Sequence, residues 1–97
     1  EAVDYFCFRI RRELGGLAAA LEGLDAVVFT GGIGENAAPV RAQVCQGLRW
    51  IGIELDAARN IANDMVISSD MSRVRVLVIP TNEELVIARA AMDLGLD

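Results

Sequence analysis

The stretch VVFTGGIGENAAPVR, residues 27–41, joins an apolar segment to a glycine-rich turn and then to a helical pattern. AVVF, residues 26–29, is apolar at every position, as is typical of a central strand covered by helices on both faces. The glycines allow a tight turn after this strand. Asn36 is suited to cap the next helix, and Pro39 is suited to its first turn. The stretch predicts a strand, a glycine loop and a helix in succession.

The segments on either side alternate between helical and strand patterns. Before the glycine loop, apolar residues recur at steps of four and three and predict a long helix, with a stripe formed by Val3, Cys7, Ile10, Leu14, Leu17 and Leu21. Gly15 and Gly16 each cost about 1 kcal/mol inside a helix, and we expect a close contact with another element there.

Beyond the loop, the predicted helix buries a stripe that consists of Val40, Val44, Leu48 and Ile51. MVIS, residues 65–68, suggests a short strand, and VRVLVI, residues 74–79, is a stronger candidate that ends at Pro80. A closing helix is expected from Thr81 or Asn82, carrying Leu85, Ile87, Ala88 and Met92. This order predicts an α/β layer fold with at least partly parallel strands.

Composition excludes several kinds of chemistry. The chain has 97 residues, a net charge of −5, no histidine, and only arginine among its nine basic residues. A P-loop lysine, a Schiff-base lysine and a histidine general base are therefore absent. The negative charge disfavours nucleic acid and anionic membranes as partners. Cys7 and Cys45 lie in apolar segments without metal-ligand spacing, so we expect buried free thiols and a cytoplasmic protein.

Ligand sites in such folds gather at the carboxyl ends of strands. Here TGGIGEN follows one predicted strand, and PTNEE follows the other. If the two strands are neighbours, both loops open into the same crevice.

The glycine loop allows several interpretations. It is not a Walker A motif, because the chain has no lysine. Gly32, Gly34 and Ala37 fit the dinucleotide pattern G-x-G-x-x-A, with acids Glu54 and Asp56 about 20 residues on. Against this, a carboxylate at Glu35 would oppose a pyrophosphate at the helix N-terminus. A tight turn without ligand and a mononucleotide site remain open.

The second loop fits a capping box, S/T-x-x-E, through Thr81 and Glu84. Both Glu83 and Glu84 also favour a helix start through the macrodipole. A capping box uses only the acid at its fourth position. Glu83 therefore remains available for a hydrated magnesium ion beside nucleotide phosphates.

DAVVFTGGIGEN, the following VR, GIELD with Asn60, and VIPTNEELVIARA together resemble the C-terminal segment of the acetate kinase family and its propionate kinase relatives. The resemblance implies a ribonuclease H-like fold of the acetate and sugar kinase, heat-shock chaperone and actin superfamily. Residues 1–97 would then be the C-terminal portion of the second domain of a longer two-domain chain.

The resemblance also implies the site. Gly32, Ile33, Gly34, Glu35 and Asn36 would line the ATP site, and Glu83 would bind Mg²⁺. The implied reaction transfers the ATP γ-phosphoryl group reversibly to acetate, with catalytic residues in the rest of the chain, so we expect the 97 residues alone to be inactive. Arg41 is expected to be solvated or salt-bridged rather than catalytic. A homodimer is implied, and propionate as acceptor, a dinucleotide module and a purely dimerising segment stay as alternatives.

Overall fold

The computed structural model describes residues 2–30, 37–79 and 91–93. Its elements are helix α1 (Ala2–Leu21), strand β1 (Ala26–Phe29), helix α2 (Ala38–Cys45), a 3₁₀ turn (Arg49–Ile51), helix α3 (Ala57–Ile61), strand β2 (Arg75–Val78) and strand β3 (Ala91–Asp93). Helices and strands alternate through the first two strands, which confirms the predicted α/β class.

The three strands form one sheet in the order β2-β1-β3, with both pairings parallel. Val27 lies opposite Val76, and Phe29 lies opposite Val78. One further hydrogen bond runs beyond the ladder, from the Ile79 amide to the Phe29 carbonyl at 3.0 Å. The two strands predicted from the sequence are therefore neighbours, and their carboxyl ends lie side by side.

Helix α1 packs one face against the core through Cys7, Ile10, Leu14 and Ala18. The predicted stripe is correct in its middle and wrong at Val3, Leu17 and Leu21, which are exposed. Val3 and Leu21 lie at the two ends of the helix, and the buried face passes from Leu14 to Ala18, four residues on, with Leu17 at its edge. A small residue thus occupies the buried position while the leucine beside it faces outward.

The glycine pair in α1 divides between two environments. A Cβ added to Gly15 would lie 3.7 Å from the Trp50 ring, an ordinary van der Waals distance, so a contact is present there but is not close enough to require glycine. A Cβ at Gly16 would meet nothing within 4 Å among the described residues outside its own helix, so the expectation is wrong at that position.

The stretch MVIS does not form the predicted strand. It makes two isolated antiparallel bridges, Val66 with Leu77 and Ser68 with Leu55. The Ile67 amide also donates to the Val76 carbonyl at 2.9 Å. Because its residues pair with two different partners, the stretch connects the residues before α3 to β2 through isolated bridges.

The closing helix was predicted to include Met92, and this is wrong. Met92 lies in β3, where its backbone is paired with Val27 of β1. A strand of three residues is too short to show a period of two, so the hydrophobic pattern could not reveal it. The rest of the predicted helix, residues 81–90, lies outside the described residues.

The core lies between the sheet and the helices. Its completely buried apolar side chains include those of Leu14, Val27, Phe29, Val44, Ile67 and Val76. Each such side chain contributes roughly 1.5–3 kcal/mol relative to an exposed position. Among the described helices, none is long and apolar enough to cross a membrane.

Candidate functional site

The candidate site begins at the carboxyl ends of β1 and β2. The glycine loop follows Thr30 directly, and the second loop follows Ile79. The Ile79 amide and the Phe29 carbonyl are hydrogen-bonded, so the two loops leave the sheet from adjacent positions. The predicted nucleotide residues Gly32, Ile33, Gly34, Glu35 and Asn36 and the predicted metal ligand Glu83 lie outside the described residues.

The glycine loop leads into α2, whose first residue is Ala38. The N-cap residue is Ala37 and not Asn36, because the helix starts one residue later than the capping prediction requires. Alanine has no side-chain acceptor and is a poor N-cap. Pro39 lies in the first turn as predicted. The start of α2 therefore has no side-chain cap from its N-cap residue.

A buried polar cluster contacts the first turn of α2 from outside the helix. Arg41, in the second turn of α2, is 0% exposed, so of the two expected environments, solvated or salt-bridged, the solvated one is wrong. Its Nε donates to Asn60 Oδ1 at 2.7 Å, and its Nη2 donates to the Asn60 carbonyl at 2.8 Å. Nη2 also donates to Asn63 Oδ1 at 2.6 Å. Burial lowers the pKa of the Arg41 guanidinium from its ordinary value.

Asn60 completes the cluster. Its Nδ2 donates to the carbonyl oxygen of Ala38 at 2.9 Å, so one amide accepts from Arg41 and donates to the first residue of α2. Asn60 is itself buried. Every buried side-chain nitrogen and oxygen in the described part of the chain has a hydrogen-bond partner. This meets the requirement that a buried polar group be paired.

Helix α3 holds Asn60 in place. The side chain of Asp56 accepts from the Arg59 amide at 2.9 Å and caps this helix at its N-terminus. The Arg59 side chain donates to the Ser68 carbonyl at 2.8 Å. Ser68 Oγ accepts from the Val76 amide at 3.1 Å. A continuous series of hydrogen bonds therefore runs from β2 through α3 to the start of α2.

Two buried cysteines lie near this cluster, and both are free thiols, as predicted. Burial raises the pKa of Cys45 from 9.0 to about 12, while the charge of Arg41 opposes part of that rise. Burial also raises the pKa of Cys7. Neutral, buried thiols are poor nucleophiles, so neither cysteine is a candidate for covalent chemistry.

A groove of about 680 Å³ lies between α2 and α3. Its lining is mainly apolar and includes Ala38, Ala42, Cys45, Leu55 and Ile61. In the described part of the chain, no residue of β1 or β2 lines it. Ala38 and Pro39, at the start of α2, are among its lining residues.

Within the described ranges, no group of three or more Cys, Asp or Glu residues could hold a metal ion. The only predicted ligand is the single carboxylate of Glu83. Mg²⁺ keeps several waters and is commonly bound through one or two carboxylates together with substrate phosphates, so a lone acid is chemically suited to it.

Comparison with known proteins identifies the family. The model of the acetokinase family matches residues 1–89. An acetate kinase of Methylocella silvestris is 62% identical over 97% of this chain, and one of Nitrobacter hamburgensis is 51% identical over 99%. This chain spans 23% and 24% of their respective lengths.

Solved structures give the same result. The crystal structure of Porphyromonas gingivalis acetate kinase has a TM-score of 0.75 and 39% identity over 84% of this chain and 21% of its own. A propionate kinase from Francisella tularensis has a TM-score of 0.76 and 37% identity over 86% of this chain and 21% of its own. The fold is thus that of the acetate and sugar kinase, heat-shock chaperone and actin superfamily. On this evidence, the chain belongs to the acetokinase family.

Proposed function

We propose that residues 1–97 are the C-terminal nucleotide-binding part of a kinase that transfers the γ-phosphoryl group of ATP reversibly to acetate. In this proposal Gly32, Ile33, Gly34, Glu35 and Asn36 line the site of ATP or ADP, and Glu83 binds Mg²⁺. The earlier parts of a longer two-domain chain supply the acetate pocket and the catalytic residues. The proposal also makes the kinase a cytoplasmic homodimer.

The observation that carries the proposal is the hydrogen bond between the ends of β1 and β2. A ligand that contacts both following loops must lie outside the carboxyl edge of the sheet, which is where nucleotides bind in open α/β folds. Membership of the acetokinase family favours a kinase over a dinucleotide module. Binding of NAD in preference to ADP would reverse that choice.

The roles proposed for Glu83 and the glycine loop follow from the chemistry of phosphoryl transfer. Charge spreads over the oxygens of the moving phosphoryl group, so catalysis needs cations and hydrogen-bond donors placed around them. A bound magnesium ion would neutralise phosphate charge, and the carboxylate of Glu83 would hold that ion through its water shell. Glycine backbone in residues 31–34 would allow close approach of the nucleotide.

Glu83 and Glu84 provide a matched pair for the test. In the complete kinase, we expect Glu83→Gln to lower kcat/KM for ATP by about 100-fold and to weaken Mg²⁺ dependence, because the amide carries no charge. Glu84→Gln keeps the acceptor of a capping box and should change kcat/KM less than about threefold. Acetyl phosphate formation, trapped as hydroxamate, gives the rates. Equal effects of the two substitutions would contradict the metal assignment.

A second assay tests the assignment to part of a longer chain. The isolated 97 residues should form no acetyl phosphate under conditions where the complete kinase is active. Sedimentation of the same sample addresses pairing, because a purely monomeric chain would count against a subunit interface in this part.

Propionate is a second candidate acceptor, because one structural relative is described as a propionate kinase. The ratio of kcat/KM for acetate and propionate, measured on the complete kinase, decides between them. A preference for propionate would leave the nucleotide assignments unchanged.

A further inference from the structure

One sequence feature remains without a role in the proposed function, the stretch GIELDAARN, residues 52–60. It contributes α3 and ends at Asn60, whose side chain reaches α2. Asn60 is buried and lies 22 residues from Ala38 in sequence. A buried amide between two helices can stabilise the core, or it can fix the position of one helix relative to the other.

The Asn60 side chain contacts the first residue of α2. Its N-cap, Ala37, provides no side-chain hydrogen bond, and the residue before that cap is the last of the glycine loop. Asn60 Nδ2 donates to the Ala38 carbonyl at 2.9 Å, one residue beyond the cap. An external amide is thus bonded to the helix close to the point where the loop enters it.

Arg41 orients that amide. With Arg41 Nε donating to Oδ1 at 2.7 Å, Nδ2 of Asn60 is left to face Ala38. Arg41 Nη2 donates to the main-chain carbonyl of Asn60 and so also fixes the backbone of α3 at this residue. Side chains locked by such bonds hold a neighbouring site within a narrow range of positions.

We propose that Asn60 is a positioning residue for nucleotide binding, which fixes the exit of the glycine loop through its hydrogen bond to the Ala38 carbonyl. This inference rests on the proposed function, since it requires the glycine loop to contact ATP. Asn60 itself does not contact the nucleotide. It acts through the first turn of α2, so its loss weakens the affinity for ATP and ADP and leaves the acetate pocket unaffected.

Asn60→Asp in the complete kinase separates positioning from folding. The aspartate keeps the acceptor for Arg41 Nε but places an oxygen against the Ala38 carbonyl, so that one hydrogen bond is replaced by repulsion. We expect KM for ATP and the dissociation constant of Mg·ADP to rise about 5- to 10-fold, with kcat changed less than about twofold. KM for acetate should stay within about twofold of the wild-type value.

Asn63→Asp is the matched control. It introduces the same charge beside the same guanidinium, because Asn63 Oδ1 accepts from Arg41 Nη2, but this contact is at the far end of the arginine side chain. We expect KM for ATP to change less than about twofold in this variant. An increase in KM equal to that of Asn60→Asp would overturn the inference, because it would trace the effect to the charge near Arg41.

Asn60→Ser provides a second variant without added charge, since its hydroxyl is too short to reach Ala38. Both Asn60 variants should give the same selective rise in KM for ATP. Unchanged Mg·ADP affinity in a folded variant would overturn the inference, and so would failure of both variants to fold, because Asn60 would then serve the fold as a whole. Absence of Mg·ADP binding by the wild-type kinase would instead refute the proposed function.

Discussion

Two arginines near α2 occupy opposite kinds of environment. Arg41 is fully buried, and its described partners are amide and backbone oxygens on or just after α3. The side chain of Arg49 is 81% exposed and forms an ion pair with Glu54 at 3.1 Å. An exposed pair gains little, because water solvates both partners almost as well. A buried guanidinium instead needs hydrogen-bond acceptors at defined positions, so it determines how the residues that carry those acceptors are arranged.

The largest expected effect comes from removing the buried guanidinium. Arg41→Met keeps most of the aliphatic volume but leaves three buried or part-buried oxygen acceptors, two on Asn60 and one on Asn63, without their arginine donor. We expect the free energy of unfolding to fall by about 3 kcal/mol or more. Urea denaturation of the purified protein gives the value, and a loss below about 1 kcal/mol would contradict the role assigned to this cluster.

A third arginine, Arg73, is exposed and suggests a second test. Arg73 donates to the Ile51 carbonyl, and a Cβ on Gly52 would come within 2.7 Å of its guanidinium, the flexible end of a side chain that can move aside. Gly52 also has a φ of 107°, which only glycine adopts without strain. We expect Gly52→Ala to cost about 1–2 kcal/mol in the same urea titration. Gly16→Ala, in an open helical position, should be neutral or stabilising.

The burial of Cys45, which lies beside Arg41, can be tested through the pH dependence of stability. Burial raises the pKa of Cys45 from 9.0 to about 12, so above pH 9 the unfolded chain releases a proton that the folded chain retains. Stability should therefore fall as the pH rises above 9, with this contribution lost by about pH 12. Cys45→Ala should remove about 1 kcal/mol of the loss between pH 9 and 10. An unchanged pH dependence in this variant would show that the thiol ionises normally in the folded protein.

The smallest effect is expected at Arg49, which receives the same substitution as Arg41. Arg49→Met removes the ion pair with Glu54, and we expect the free energy of unfolding to change by about 0.5 kcal/mol or less. The difference between wild type and variant should shrink further in high salt, because added ions screen exposed charges. If Arg49→Met destabilised the protein as much as Arg41→Met, burial would not be what separates the two arginines.

The sequence predicted strands β1 and β2 and the first turn of α2 correctly. The apolar segments AVVF and VRVLVI became β1 and β2, and Pro39 marked the first turn of α2. These predictions held because a strand buried on both faces and a proline at a helix start are encoded locally. The free thiols were also predicted correctly.

Arg41 shows where local reasoning stopped. It lies three, four and seven residues before Val44, Cys45 and Leu48, and so on the buried face of the helix, but the sequence led us to expect a solvated or salt-bridged side chain. Its compensation comes from Asn60, 19 residues later in sequence. No periodicity within one helix predicts a partner at that separation. The sequence did contain a signal, which was an arginine, Arg41, in an apolar stripe together with Asn60 shortly after GIELD.

The pairing of β1 with β2 has a consequence for insertions and deletions. Along β2, Val76 and Val78 are buried, whereas Arg75 is exposed. A shift of the ladder by one residue would turn that charge inward and would also move the Ile79 amide away from the Phe29 carbonyl. A deletion within this strand would thus expose an arginine to the core and change the spacing of the two loops at the same time.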